Sequence, residues 1–508
     1  MESEGLMKSE AFSILGANGR DYEKEESKSF HRDLNLLQIF DRLTAKWGKD
    51  VRKYYLCLPE SASEEDFRRA VYGDIKREPV YRALIAFTNN LTATEEIRRE
   101  KEHVSDPVQK AVWMVREEAA YRNAYETLAR ELSEATVSSE GMKEFLRILS
   151  EILNSEQYRV RKEQTDRILG EIKQLRFLIT YDRERIAVKF GEISGPGAYE
   201  QWLNGVCGGE SAQLQNPFAA EVPVTDFERA CLEILEKKKP EFFRALKELS
   251  EQPESGERPV LKRFEKEILF YLSFGSLQKE LSEAGFAFCT PERSDGRIME
   301  AKGLYDLALA ILSRGTGRKI IANDFRYEDG DRFFVLTGPN QGGKTTFARS
   351  LGQLVYFSRM GLDVPAESAL VPFFPDIQTH FSVEESVQTG RGKLMEELVR
   401  LAPMMKERKK DTFVIINELF TTAANYDAQI MGKRVLKHFV GLGCRGIYVT
   451  HLTDLTDACE GVEGLRAVAD ENGIPTFQIV RGKAEDVVCA AHLVNRYRLT
   501  YEQLKERL

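Results

Sequence analysis

The sequence predicts a multi-domain protein in which an elongated all-α half is followed by an α/β half. Before residue 318, apolar residues recur at helical spacing opposite charged faces. From residue 318 onward, short β-rich runs alternate with helical stretches, which is typical of a largely parallel sheet. We expect an N-terminal arm over residues 1–30, a helical domain over 31–317 and an α/β domain over 318–508.

The composition of the 508 residues is globular and has no basic excess. Lysine and arginine number 73 against 81 acidic residues, so any nucleic-acid site must be a local feature. No apolar run is long enough to cross a bilayer, and the first ten residues lack an apolar signal core. The seven cysteines form no CxxC pair. These observations predict a cytoplasmic protein with reduced thiols.

The first half reads as a loosely held polar arm followed by helices. One stretch, Lys143–Phe190, has no proline and a single glycine, Gly170. As one helix it would be roughly 70 Å long, so it is either an arm or broken near Gly170. Glycine and proline punctuate Ser194–Phe218, which predicts a loop. The apolar stripes are expected to pack into cores; their first members are Leu36, Ile39, Phe40 and Leu43, and then Phe145, Ile148, Leu149 and Ile152.

Five short runs in the second half are predicted as strands. They are KIIAN (319–323), FFVLTG (333–338), TFVIIN (412–417), GIYVT (446–450) and TFQIV (476–480).

The segment Gly338–Thr346 follows the second of these strands and precedes a helical run. It reads GPNQGGKTT, which is the phosphate-binding pattern GxxxxGK[ST] between a strand and a helix. Glycines let backbone N–H groups surround phosphates, and the helix N-terminus adds partial positive charge. The alternative is an ordinary Gly-rich turn. We predict an α/β P-loop ATPase domain of the ABC type that binds ATP and Mg²⁺. The predicted nucleotide-binding residues are Gly338, Pro339, Asn340, Gln341, Gly342, Gly343, Lys344, Thr345 and Thr346.

Within this motif, Lys344 is expected to reach the β- and γ-phosphates and Thr345 to hold Mg²⁺ through its hydroxyl. The third strand ends in Asn417-Glu418, where P-loop ATPases place a metal-side carboxylate and a water-activating base. We predict Glu418 as a catalytic residue beside Lys344. Asn417 would contact the metal through water but brings no charge. An ordinary solvated glutamate is the alternative for Glu418.

Thr450-His451 ends the fourth strand on the same expected edge of the sheet. A histidine there can sense the γ-phosphate, so we predict His451 as a third catalytic residue. A purely structural histidine is the alternative.

With GPNQGGKTT, INEL and THL in this order, the chain resembles the MutS family of DNA mismatch-repair ATPases. Asp363-Val-Pro-Ala366 is similar to a motif after the family's P-loop helix, and Met395-Glu-Glu397-Leu lies where the family has its signature helix. The resemblance is close across 318–500. It implies that Ile320 and Ile321 contact the adenine base, and that the helical half forms core and lever helices.

The resemblance further implies a homodimeric clamp that couples ATP hydrolysis to DNA binding, mainly through DNA phosphates. Each ATP would lie between one P-loop and segment 389–397 of the second subunit. Two departures stand out, because Asn417 replaces an aspartate and Gly392 replaces the signature serine, with Arg391 and Lys393 beside it. We also expect a shortened member without the mismatch-reading and connector domains, which would favour branched or distorted DNA.

Two other functions fit the sequence. Asn417 and Gly392 favour a nucleotide-gated protein-interaction module with little hydrolysis. An ABC-type ATPase of a transporter or chromosome-organising complex fits less well, because no membrane span or long coiled coil is present in the sequence.

Overall fold

The computed structural model describes most of the chain. The described residues are 11–16, 20, 22–24, 26–174, 177–182, 185–190, 226–251, 258–294, 296, 298–314, 317, 319–382, 392–407, 409–471, 473–483 and 505.

The chain divides into two compact units, each formed by two stretches of sequence. The first unit comprises Met1–Phe12 and Asp74–Glu265, and the second comprises Ser13–Gly73 and Lys266–Leu508. These limits differ from the predicted boundaries near residues 30 and 317, and the domain assignment made from the sequence stays a prediction.

The described residues form fifteen α-helices and twelve strands. The helices are α1 (Ser29–Asp33), α2 (Leu36–Thr44), α3 (Arg52–Tyr55), α4 (Ala62–Ile75), α5 (Glu78–His103), α6 (Pro107–Ala135), α7 (Glu140–Asn154), α8 (Glu156–Gln174), α9 (Asp226–Lys238), α10 (Pro240–Ser250), α11 (Pro259–Glu283), α12 (Leu307–Ser313), α13 (Lys344–Arg359), α14 (Lys393–Lys406) and α15 (Asn425–Gly441). The strands are β1 (Phe177–Asp182), β2 (Arg185–Phe190), β3 (Glu292–Ser294), β4 (Met299–Leu304), β5 (Asn323–Tyr327), β6 (Phe333–Thr337), β7 (Ser368–Pro372), β8 (Ile377–Phe381), β9 (Phe413–Asn417), β10 (Arg445–Val449), β11 (Val462–Ala469) and β12 (Pro475–Arg481). Among the described residues, no helix combines the length and apolar character needed to cross a membrane.

The first unit is built mainly from helices. Asp106 begins α6 by accepting hydrogen bonds from the backbone N–H groups of Val108 and Gln109, each at 3.0 Å, and Pro107 occupies the first turn, where no N–H donor is needed. One apolar cluster joins α6, α8 and α10 through Ala111, Val115, Ile168, Phe242, Leu246 and Leu249.

The expectation of an all-α first half is wrong over residues 177–190, and again over residues 292–304, which contain β3 and β4. Helix α7 ends at Asn154, extended backbone at Ser155 separates it from α8, and Gly170 lies inside α8. Strands β1 and β2 then pair in an antiparallel hairpin with Phe177 opposite Phe190. The runs FLITY and RIAV are rich in β-branched and aromatic residues, which favour strands over helix.

The arm predicted over residues 1–30 is not loosely held where it is described around Ser13–Leu15. These three residues are buried, and the buried carboxylate of Glu267 accepts hydrogen bonds from Ser13 Oγ (2.9 Å) and Ile14 N (3.0 Å). Arg68 Nε donates to Leu15 O at 2.9 Å. These partners could not be inferred from the sequence, because they are about fifty or more residues away along the chain.

The second unit contains the parallel sheet expected from the sequence. Its six-stranded sheet has the order β12-β11-β6-β10-β9-β8, in which only the β11–β12 pair is antiparallel. Every residue of β6, β9 and β10 is buried, as expected for a sheet covered on both faces. A second sheet has the order β3-β7-β4-β5.

Four of the five predicted strands are present, and the strand predicted at 319–323 is displaced toward the C-terminus. Residues 319–322 are not strand, and β5 begins only at Asn323. The carboxyl ends of β6, β9 and β10 lie at one edge of the sheet, because Val449 is in register with both Leu336 and Asn417. This register brings the three predicted phosphate-site segments together.

Candidate nucleotide site

The P-loop connects β6 to α13 through residues in the left-handed region of backbone space. Gly338, Gln341 and Gly343 have φ values of 131°, 61° and 84°. Glycine adopts these angles without steric cost, which explains two of the three positions. Gln341 is the exception, a non-glycine residue held in an uncommon conformation.

Two of these glycines also permit close packing. A Cβ atom on Gly338 would lie 2.9 Å from Ala467 Cβ and 3.0 Å from its backbone N, and a Cβ atom on Gly343 would lie 3.3 Å from Phe477 Cδ1. The pattern GxxxxGK therefore has a steric reason in this chain, because β11 and β12 press against the loop.

Lys344 begins α13 and is buried to 5% exposure. Its ammonium donates hydrogen bonds to Gly338 O at 3.0 Å and Pro339 O at 2.8 Å. These bonds use two of three donors and fix the side chain across its own loop. Burial lowers the pKa of Lys344, and the nearby Glu418 carboxylate opposes this shift.

Thr345 and Asn417 contact each other directly. The Thr345 hydroxyl donates a hydrogen bond to Asn417 Oδ1 at 3.0 Å, and Asn417 is 6% exposed at the end of β9. The metal-side pair expected from the sequence is thus in contact, with an amide in the place of a carboxylate.

Glu418 follows β9 in a left-handed conformation with φ of 54°, and its N–H donates to Val449 O at 2.9 Å. Its Oε1 lies 3.6 Å from His451 Nε2, and both side chains are partly exposed. The two predicted catalytic side chains are therefore neighbours at the sheet edge.

A pocket of about 580 Å³ opens beside these groups. Such a volume lies within the range of small-molecule and cofactor sites. It is lined by Leu304, Tyr305, Asp306, Leu309, Ser313, Lys319, Ile320, Ile321, Asn323, Asn340, Gln341, Gly342, Gly343, Lys344, Thr345, Thr346, Phe347, Ser350, Glu418 and Phe477.

Most of the predicted site residues belong to this lining. The half-buried side chains of Ile320 and Ile321 lie in the pocket wall with the P-loop and Glu418. Four predicted residues lie outside the lining, and each contacts a residue that belongs to it. Lys344 donates hydrogen bonds to Gly338 and Pro339, Thr345 donates one to Asn417, and Glu418 lies beside His451.

Phe477 is a pocket residue that the sequence reasoning did not single out. It is 48% exposed, has φ of 61°, and lines the pocket beside Gly343. Asn323 holds this segment, because its Nδ2 donates to Phe477 O at 3.0 Å and its Oδ1 accepts from Ile479 N at 2.7 Å. An aromatic residue in a strand beside a P-loop carries no distinguishing pattern, so only the fold identifies it.

The predicted signature segment 389–397 is described only from Gly392, which precedes α14. Arg391 lies outside the described residues, and Lys393 is the first residue of the helix. Glu397, which the sequence analysis places in the signature helix without a contact of its own, is 3% exposed and accepts a hydrogen bond from Phe420 N at 2.9 Å.

The donor set of the pocket suits a nucleotide with a hard divalent cation. It offers two ammonium groups, two threonine hydroxyls, two carboxylates and apolar surfaces for a base. Within the described residues, no cluster of three or more His, Cys, Asp or Glu side chains stands ready to hold a metal. Any Mg²⁺ here would be held mainly by the Thr345 hydroxyl, by water and by phosphate oxygens.

Comparison with known proteins gives relatives for this region. Residues 334–480 match the family MutS domain V. The DNA mismatch repair protein MutS of Leuconostoc mesenteroides is 30% identical over 207 residues, which cover 39% of this chain and 24% of that protein. The MutS of Dinoroseobacter shibae is 27% identical over 206 residues, covering 39% and 24%. The MutS of Thermotoga petrophila is 26% identical over 169 residues, covering 33% and 21%.

The chain spans about a quarter of the length of the curated relatives it matches. The matched segment contains the P-loop, Asn417-Glu418 and His451, the three elements on which the resemblance was based. Residues 334–480 thus correspond to MutS domain V, and the resemblance of this chain to the MutS family of DNA mismatch repair proteins is confirmed.

Proposed function

We propose that the chain binds ATP with Mg²⁺ in the 580 Å³ pocket and hydrolyses it. The observation that carries this proposal is the joint position of the P-loop, Ile320-Ile321 and Glu418 around one cavity. The apolar side chains suit a base, and the P-loop end suits a triphosphate.

Each side chain has a role that its contacts support. Lys344 is already fixed to its loop by two bonds, so its remaining donor serves the β- and γ-phosphates without costly ordering. Thr345 supplies the hydroxyl for Mg²⁺, and Asn417 orients that hydroxyl. Glu418 accepts a proton from the attacking water, and His451 holds the carboxylate and contacts the γ-phosphate. When bound, Mg²⁺ would neutralise charge on the phosphates.

Coupling to DNA is the second part of the proposal. The relatives are named as DNA mismatch repair proteins, and the chain carries an excess of acidic residues. Because the chain has no overall basic excess, any DNA contacts must come from local groups of basic residues. We expect these contacts to be mainly with DNA phosphates, so that the affinity for DNA falls steeply as the salt concentration rises. We also propose a homodimer in which each ATP lies between two subunits, because such a composite site needs one face from each subunit.

Steady-state ATP hydrolysis tests the proposal. Turnover is measured alone and with matched duplex, single-mismatch duplex and four-way-junction DNA, with Lys344→Ala as the control. DNA stimulation that is strongest on the junction, together with loss of turnover in Lys344→Ala, is the expected result. Full turnover by Lys344→Ala would refute the mechanism.

The second candidate is a nucleotide-gated interaction module with little hydrolysis. The neutral contact between Thr345 and Asn417 favours it, because the metal side of the site lacks a carboxylate among the described contacts. Tight ATP binding without turnover on any DNA would select this function over the first.

A further inference from the structure

The turn that carries Glu418 has an unusual backbone. Glu418 and Phe420 have φ values of 54° and 65°, so two non-glycine residues within three positions are left-handed. The side chains of Leu419 and Phe420 are each 2% exposed and belong to the apolar core under β9. Conformations of this kind persist only when the surroundings hold them.

One side chain from outside the turn holds its backbone. Glu397 on α14 accepts a hydrogen bond from Phe420 N at 2.9 Å through Oε2. Its other oxygen, Oε1, has no hydrogen-bond partner in the part of the chain that the structure describes. Burial raises the pKa of Glu397, and the Phe420 N–H opposes this shift. Burying a carboxylate is costly, so the bond to the turn is the specific gain that offsets the cost.

Helix α14 is itself a fixed support. His380 Nε2 donates to Glu397 O at 3.3 Å, and Arg400 Nη1 donates to Phe381 O at 2.7 Å, so β8 holds the helix at Glu397 itself and again at Arg400, about one turn further along. Leu401 of the same helix packs in the core cluster that contains Phe420. A side chain on such a rigid element can position a distant group accurately.

We propose that Glu397 is a positioning residue for the site, which holds the 418–420 turn in its left-handed form through Phe420 N–H and thereby keeps the Glu418 carboxylate beside His451. Without this acceptor, the Phe420 N–H would face the apolar core, and the turn would relax toward ordinary backbone angles. Glu418 would then lose its place while the P-loop kept its own. This inference rests on the proposed ATPase function, because the role of Glu418 is part of that proposal.

Three variants of the full-length chain test the inference. Glu397→Ala removes the acceptor, whereas Glu397→Gln keeps an acceptor oxygen without the charge. The matched control is Glu407→Ala, which removes a carboxylate at the end of the same helix that pairs with Lys409 at 3.0 Å. For each variant, kcat, the Kd of a fluorescent ATP analogue and amide hydrogen exchange of residues 413–424 are measured.

The expected result separates positioning from folding. Glu397→Ala lowers kcat by about tenfold to a hundredfold, because small misplacements of a reacting group have effects of that size. The Kd for nucleotide stays within about twofold, the sequence 418–421 exchanges faster while 413–417 does not, and Glu397→Gln recovers most of kcat. The control resembles the unsubstituted chain throughout.

Unchanged kcat in Glu397→Ala overturns the inference, as does an equal loss of kcat and nucleotide binding in both substitutions. If the unsubstituted chain shows no turnover, the proposed ATPase function fails and hydrogen exchange decides the inference. Faster exchange at 418–421 in the Ala variant, restored in the Gln variant, then supports a turn held by Glu397, and equal exchange in all variants overturns it.

Discussion

The Thr345 hydroxyl donates its proton to Asn417 Oδ1 across 3.0 Å, joining the P-loop helix to the end of β9 by a neutral hydrogen bond. A carboxylate would fill the same position with a full negative charge. The geometry expected of a metal-side pair is therefore kept, while the electrostatic attraction for a cation is reduced.

Replacing Asn417 by aspartate is expected to lower the Mg²⁺ concentration that gives half-maximal turnover and to raise the maximal rate of ATP turnover. An added attraction of about 1.4 kcal/mol between the new charge and the metal would change either quantity about tenfold. Turnover as a function of Mg²⁺ concentration measures both effects. The combination Lys344→Ala with Asn417→Asp is the control and should stay inactive, and unchanged Mg²⁺ dependence in Asn417→Asp would exclude the missing charge as the limiting factor.

Glu418→Gln is expected to lower kcat by about two to four orders of magnitude, the usual contribution of a general base. ATP binding should persist, because Gly343, Lys344 and Thr345 are unaltered. Turnover and binding of a fluorescent ATP analogue are measured side by side. Asp454→Asn is a matched control, since this carboxylate lies near His451 in sequence but bonds Gln429 at 2.8 Å. A loss of turnover as large in the control as in Glu418→Gln would argue against the assigned role.

The sequence predicted the centre of the sheet better than its surroundings. Strands β6, β9 and β10 are continuous apolar runs that are buried on both faces, so their sequences carry the pattern of a parallel sheet. Strands β4, β7 and β8 were not predicted. In sequences such as MEAKGL and IQTHF, buried and exposed positions do not alternate regularly, and the strands depend on pairing partners far along the chain. The helix expected through residues 177–190 is absent. The lack of glycine and proline there favoured a helix, but the β propensity of these residues outweighs it.

The candidate site was predictable where function imposes a local pattern. The P-loop follows β6, Asn417-Glu418 lies at the end of β9 and His451 follows β10, and parallel register brings such positions together. The contacts of Phe477 with Gly343 and of Glu397 with Phe420 were not predictable, because tertiary contacts of this kind leave no spacing pattern in the sequence.

Gly338→Ala is expected to destabilise the fold as well as the nucleotide site. The position has φ of 131°, and the new Cβ would lie 2.9–3.0 Å from three atoms of Ala467. A backbone forced into such a conformation costs about 1–3 kcal/mol. Denaturant unfolding measures the loss, with Gly441→Ala as the control, because a Cβ there meets no atom within 4 Å. Equal midpoints for Gly338→Ala and the unsubstituted chain would contradict the steric account.

The stability of the fold should fall in mild acid because of His380. Its Nε2 donates to Glu397 O at 3.3 Å, its Nδ1 has no partner among the described residues, and burial lowers the pKa of His380 to about 4. The unfolded chain binds this proton near pH 6.5, so between these two pKa values the unfolded state holds more protons and stability declines as pH falls. From about pH 7 to about pH 5 the loss from this group is on the order of 2 kcal/mol.

Comparing the unsubstituted chain with His380→Gln isolates this contribution, because glutamine keeps a donor for Glu397 O but does not titrate. The comparison is needed since burial raises the pKa values of Asp33 and Glu397, and these nearby carboxyl groups oppose the trend. Urea unfolding at the two pH values should show a smaller acid loss for His380→Gln, while substitution of the exposed His103 by glutamine leaves the loss unchanged. If all three proteins lose the same free energy of unfolding between the two pH values, protonation of His380 does not destabilise the folded state. The contact between β8 and α14 would then separate locally in acid, before the protein unfolds.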